Sequence, residues 1–349
     1  MFEDGSNVFA NYIEEDAPGR AQFMWVALFY YLTKVCRDEH GSMGEGVMRQ
    51  AVREFGTERA YRKRQRADAL GMAPNLVTMS KIVDLYSDPR FDFGKQVSNA
   101  TPEEKIIQVY TCPNSNIWAR LEGKRAGDPL AIGSIYCEEV HHYLYGMFDP
   151  SIQMNLCEIL TKGDALCNFR LNMRPANRKP FSLPPYQPQS WEDFGNDVTA
   201  SIISVYGLHL YHYGQSILDN LGEQTLKDGL TAYARCRGER LRELERRRGR
   251  RPSIQNLVEE GDLFLDPRTQ KEIAYTSDGS CTVTLKRSII HEVLHCHQAA
   301  PLAAIYFKTV FPALCRAYDP ALSVSLEHSD GQGGNFTVTI DTQKGATLC

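Results

Sequence analysis

No apolar run in these 349 residues is long enough to cross a bilayer. The longest, Phe23 to Leu32, reaches only about half of the ~20 residues that a spanning helix needs, so it reads as a buried helix. No basic region precedes it. Glu3, Asp4, Glu14, Glu15 and Asp16 carry the wrong sign for a secretory leader. Positive charge is not in surplus either: the formal net charge of −4 argues against a protein whose main task is gripping phosphate backbones. Tight, regular cysteine spacing is also missing. The ten cysteines are scattered through a chain large enough to build a core without disulfide staples. Most of them read as small buried hydrophobes in a reducing, cytoplasmic setting. The partner expected from these traits is a small-molecule substrate, with no nucleic acid and no membrane, and the chain is expected as a monomer or homodimer.

What the chain does contain is a repeat. Ile135 to Leu156 (IYCEEVHHYLYGMFDPSIQMNL) aligns without a gap with Ile305 to Leu326 (IYFKTVFPALCRAYDPALSVSL). Identical pairs include Tyr136 with Tyr306, Val140 with Val310, Leu144 with Leu314 and Asp149 with Asp319. Each block reads as a helix stopped at an Asp-Pro, because the residue before proline avoids the α region. An alternating strand follows, then a glycine-bearing turn (Lys162-Gly163-Asp164; Gly331 to Gly334), then a second strand. Upstream, the charged stretches from Arg53 and from Ala234 also correspond. The expected architecture is α+β, with two pseudo-symmetric copies, each of helices plus a small antiparallel sheet of three strands. Residues 1–174 form the first copy, 175–192 a linker and 193–349 the second. Five prolines between Arg174 and Ser190 forbid helix there and disrupt an interior strand. The helices are expected at Ala21 to Arg37, Gly46 to Leu70, Phe194 to Leu218 and Gln224 to Arg248.

Reactive side chains gather in the first copy. Cys112 ends a strand and precedes Pro113, so its thiol is expected at a helix N-terminus, where the dipole lowers a thiol pKa. Cys137 and His141 lie four apart on one helical face, with Glu138 and His142 on the next. Such pairs can act as nucleophile and base or as ligands. Asp164 and Cys167 close the set. The second copy has Phe307 for Cys137 and Phe311 for His141, so it cannot repeat that chemistry. It carries instead His291-Glu292-Val293-Leu294-His295, an H-E-x-x-H pattern in which His291 and His295 would hold zinc and Glu292 would activate water. Pro301 keeps that helix short, and the third ligand has no diagnostic spacing. The arginine run from Arg235 to Arg251 is interleaved with glutamates and reads as a solvated helix face. The basic stretch recurs in the first copy as Arg59, Arg62, Lys63, Arg64 and Arg66, of which one or two arginines could anchor a ligand carboxylate.

Cys112-Pro113, Tyr136-Cys137-Glu138, Asp149-Pro150 and the closing Gly163-Asp164-x-x-Cys167-x-Phe169 together resemble the L-2-amino-thiazoline-4-carboxylic acid hydrolase family. The resemblance covers residues 45 to 173, and 195 to 341 only through the repeat. It implies a hydrolase acting on a C–N or C=N bond of a small cyclic amidine that carries a carboxylate. Two alternatives stand beside it: a metal-dependent enzyme using His291, Glu292 and His295, and a non-enzymatic small-molecule-binding protein whose cysteines are core.

Overall fold

The computed structural model describes residues 16–82, 94–125, 127–178, 180–192, 195–277, 279–328 and 336–342. The Gly331 to Gly334 turn falls outside them. Helix α1 (Ala17–Ala69) starts at Asp16, whose side chain accepts from the Gly19 amide at 2.9 Å, with a proline in the first turn. It breaks at Gly41, where φ of 58° favours glycine. The two expected helices are therefore the two arms of one run. α2 (Leu76–Lys81) and strands β1 (Lys95–Ala100) and β2 (Glu104–Val109) follow. Next come α3 (Pro113–Leu121), α4 (Gly133–Phe148), β3 (Ile152–Glu158) and β4 (Cys167–Met173). The second half runs α5 (Val198–Asn220), α6 (Glu223–Arg247), β5 (Gln270–Tyr275) and β6 (Cys281–Arg287). It ends with α7 (Ile289–Cys296), α8 (Ala300–Tyr318), β7 (Leu322–His328) and β8 (Phe336–Thr342).

Apart from the short α2, and with the two arms of α1 in the places of α5 and α6, the two halves share one order of helices and strands. Their antiparallel sheets also share one strand order, β1-β2-β4-β3 and β5-β6-β8-β7. Each sheet has four strands rather than three. The added strands are polar edges: β1 (KQVSNA) exposes nearly every side chain, so no alternation announces it. Asp149 and Asp319 are extended (φ −153° and −145°) and end α4 and α8, as the following prolines require.

One hydrophobic core is assembled from both halves. Phe23 to Leu32 of α1 packs with Tyr206, Leu208, Leu210 and Tyr213 of α5, with Leu230 and Tyr233 of α6, and with Trp118 of α3. Trp118 is fully buried, and its indole N–H donates to the Val26 carbonyl at 3.0 Å. A stretch enclosed on every side needs no polar stripe, which explains the all-round apolar run. The proline-rich linker is extended along the first half, where Gln65 donates to the Pro184 carbonyl at 2.8 Å. No helix among the described residues is long and apolar enough to cross a membrane.

Where α6 crosses α8 the backbones nearly touch. A Cβ on Gly238 would stand 2.3 Å from the Leu314 carbonyl oxygen and 2.9 Å from the Tyr318 nitrogen. Backbone cannot swing aside as a side chain can. Gly238→Ala is therefore expected to cost ~1–3 kcal/mol by overpacking, read from chemical denaturation of the purified variant.

Candidate active site

The second sheet joins the common core: Val283, Leu285, Val338 and Ile340 belong to it. The first sheet does not. Its buried residues, among them Ile107, Phe169 and Leu171, form a separate cluster with Leu144 and Phe148 of α4 and Ala60 of α1. Between that cluster and the main core lies a cavity of about 490 Å³.

This cavity unites four of the residues singled out in the sequence: Cys112, Cys137, His141 and Cys167. They arrive on three elements. Cys112 caps α3. Cys137 and His141 are one turn apart on α4, and Cys167 opens β4 opposite Val109 of β2. The three thiols are close enough to disfavour one another's ionisation. Burial pushes the Cys137 thiol well up, with Cys112 and Cys167 adding to it. Cys167 is pushed up to about 12 by burial, although its sulfur accepts from the Leu160 amide at 3.3 Å. For Cys112 the expected helix-end effect is present but loses: burial raises the pKa more than the Ser115 and Asn114 amides lower it. All three thiols are neutral near pH 7.

His141 is neutral as well. Burial lowers its pKa to about 4, with the Arg59 charge adding to the effect. Its Nδ1 lies 3.4 Å from the Cys137 carbonyl, which can only accept, so the proton sits on Nδ1. That leaves Nε2 with a free lone pair, the form required of a base. The ring meets Phe169 edge-on at 4.8 Å.

The second half contributes to the same site. Val205 of α5 lines the cavity. His209, fully buried, stacks on Trp25 at 4.6 Å and sits 3.4 Å from the Tyr136 hydroxyl; Trp25 and Tyr136 are both cavity residues.

Glu138 and Asp164 do not line this cavity among the described residues. Burial works against the Glu138 charge, but hydrogen bonds from Lys162 and Arg49 outweigh it and hold its pKa below the usual range. The Asp164 carboxylate accepts from the Ile159 amide at 2.8 Å and shapes the turn before β4. Sequence reasoning missed Lys95 and Lys105, which line the cavity with Arg59 and Lys63. Lys105 is the first inward-facing residue of β2, a position that alternation from Ile107 and Val109 would have exposed.

The equivalent space in the second half is closed. Register carries the correspondence: Leu285 lies opposite Phe336 as Val109 lies opposite Cys167. Phe307, Phe311 and Phe336 thus stand where Cys137, His141 and Cys167 stand in the first half. Their rings lie 4.3 to 6.1 Å apart, and Phe264 adds a fourth at 5.9 Å. Only about 20 Å³ of space remains there. Ser288 caps α7 where Cys112 caps α3.

His291 and His295 lie side by side on α7, rings 6.2 Å apart and nearly parallel. Glu292 is engaged elsewhere, paired with Arg287, 3.7 Å from Arg268, and accepting from Ser190 at 3.0 Å. Among the described residues no three His, Cys, Asp or Glu side chains are grouped to hold a metal ion.

Residues 20–171 match the family model of L-2-amino-thiazoline-4-carboxylic acid hydrolase. The match lies within the first half. The match takes in the cap Cys112, the α4 pair and Cys167, and every other residue lining the cavity except Val205 of α5. Comparison of the chain with curated proteins and with solved structures returns no match.

Proposed function

We propose that this protein is a hydrolase that opens a C–N or C=N bond of a small cyclic carboxylate, a thiazoline- or amidine-like ring. One observation carries the reading: a cavity in the half that holds the family match joins three thiols to a neutral imidazole, and phenylalanines fill the same space in the other half. The electrophile in a 2-amino-thiazoline is the ring carbon bonded to both nitrogens and the sulfur. Water adding to that carbon loses a proton to His141 Nε2. Cleavage of a carbon–nitrogen bond then needs a proton on the departing nitrogen, and the imidazolium returns it. The α3 N-terminus beside Cys112 offers amides to charge developing on the substrate. A thiol adding in place of water would use the same base, because burial keeps the thiols neutral.

The test is turnover of L-2-amino-thiazoline-4-carboxylate by Cys112→Ser, Cys137→Ser and Cys167→Ser. At least one substitution is expected to lower kcat/KM tenfold or more. Wild-type rates in all three would remove the thiols from the mechanism. No turnover by the native chain would remove the substrate class.

A further inference from the structure

The cavity wall holds a buried amide that is only half satisfied. Gln22 of α1 is 2% exposed and lines the cavity with Trp25, one turn along the same helix. Its Nε2 donates to the Asn114 Oδ1 at 2.5 Å, while its Oε1 meets no donor among the described residues. Asn114 lies in the first turn of α3, and its backbone amide is one of the two that act on the Cys112 thiol. The open oxygen therefore belongs to the end of the cavity where Cys112 and Cys137 are close enough to interact.

A buried carbonyl oxygen without a donor is unfavourable, because burial removes its water and nothing takes that place. Such an oxygen can only accept, so a group that settles against Gln22 must present an N–H or O–H. Other acceptors along the wall are few or committed. Among the described residues that line the cavity there is no Asp or Glu. The Asn114 Oδ1 is taken by Gln22 itself, and Ser80 accepts from Lys105. His141 Nε2 carries the lone pair of the base, since Nδ1 faces the Cys137 carbonyl.

Resting on the hydrolase reading for the chemistry at the thiols, we infer that Gln22 determines specificity: its Oε1 accepts a hydrogen bond from the amino group on the carbon under attack, so the site selects an amidine over a ring with a methyl group there. An N–H satisfies the oxygen. A methyl group of the same size leaves it stranded against an apolar surface, and that penalty falls on the wrong ligand. Asn114 is the positioning residue, because holding Nε2 fixes the plane of the amide.

Calorimetric titration of the full chain tests it with two aromatic rings that resist hydrolysis, 2-aminothiazole-4-carboxylate and 2-methylthiazole-4-carboxylate. They share shape and carboxylate and differ in the donor. The amino compound is expected to bind at least tenfold more tightly. Gln22→Met, close in shape but without the oxygen, should bring the two affinities together. Gln22→Glu, which keeps an acceptor, should preserve the preference for the amine. A residue that merely packs would weaken both ligands alike in Gln22→Met and leave their ratio intact, and that result overturns the inference. Equal binding of the two by the native chain, or no binding of either, overturns it as well. The two readings fail separately. Amine preference without ring opening of the thiazoline would sink the hydrolase, and ring opening without amine preference would sink the role of Gln22.

Discussion

Between pH about 4 and about 8, kcat/KM for ring opening is expected to be flat, and to fall on either side. The acid limb belongs to His141. Its folded-state pKa is lowered to about 4, so the imidazole is the free base above that pH and loses its lone pair as pH falls through it. The alkaline limb belongs to Lys105, whose pKa is lowered to about 8; above that pH its ammonium is lost and an anionic substrate is held less well. Because kcat/KM reports groups of the free enzyme, both limbs should appear in that ratio. The substitution that decides the assignment is His141→Phe, the residue at the matching place in the second half. It is expected to lower kcat by 10²–10⁴, the range for loss of a general base. Its residual rate should no longer fall towards pH 4. Lys105→Met should erase the alkaline limb and leave the acid one. A profile centred near 6.5 would show that His141 is better solvated than its burial implies, and that a different group is the base.

Much of this site could be read from the chain alone, and the reasons it could not all be read are physical. The Phe307 and Phe311 replacements were visible because α4 and α8 align without a gap, so the faces of the two helices match residue for residue. Phe336 in place of Cys167 was hidden. Which residue of β8 points inward depends on its pairing with β6, a register that local sequence does not state. Strands β1 and β5 escaped notice for a related reason: edge strands with little buried face carry no period-two pattern. Arg237 shows a third limit. Within a run that otherwise reads as solvated, it is 2% exposed and grips Asp262 through two nitrogens at 2.7 and 3.2 Å. Helix period alone cannot tell which of the six arginines of α6 finds a buried acid. Glu138 and Asp164 stand beside reactive residues in sequence, yet one is held by cations outside the cavity and the other shapes a turn.

The largest stability effect is expected at Glu58, where the halves are joined by charge. Its carboxylate on α1 meets His212 Nε2 of α5 at 2.8 Å and His297 Nε2, just past α7, at 3.0 Å; Arg62 adds a contact at 2.7 Å. Burial opposes this charge, but the two histidines outweigh it and hold the Glu58 pKa far below its usual range. His297 lies outside the H-E-x-x-H pattern, and its Nδ1 donates to the Val293 carbonyl at 2.7 Å, which aims Nε2 at Glu58. Arg62 extends the network to Glu192 at the end of the linker, 3.3 Å away. Glu58→Gln keeps the shape and removes the charge, leaving three cationic or cation-prone groups facing one another. A loss of about 3–5 kcal/mol is expected, the cost of stranding one side of a mostly buried pair. The dependence on pH has a definite sign. The Glu58 contribution is full above its ordinary value of 4.5 and is lost as pH falls towards its depressed folded value. His297, raised by the same carboxylate, contributes fully below 6.5 and less as pH rises through its folded value. The native chain should therefore exceed Glu58→Gln by most between pH 4.5 and 6.5, as measured by urea unfolding at each pH. Equal stabilities across that window would mean that apolar packing of α1 against α5 holds the halves together unaided.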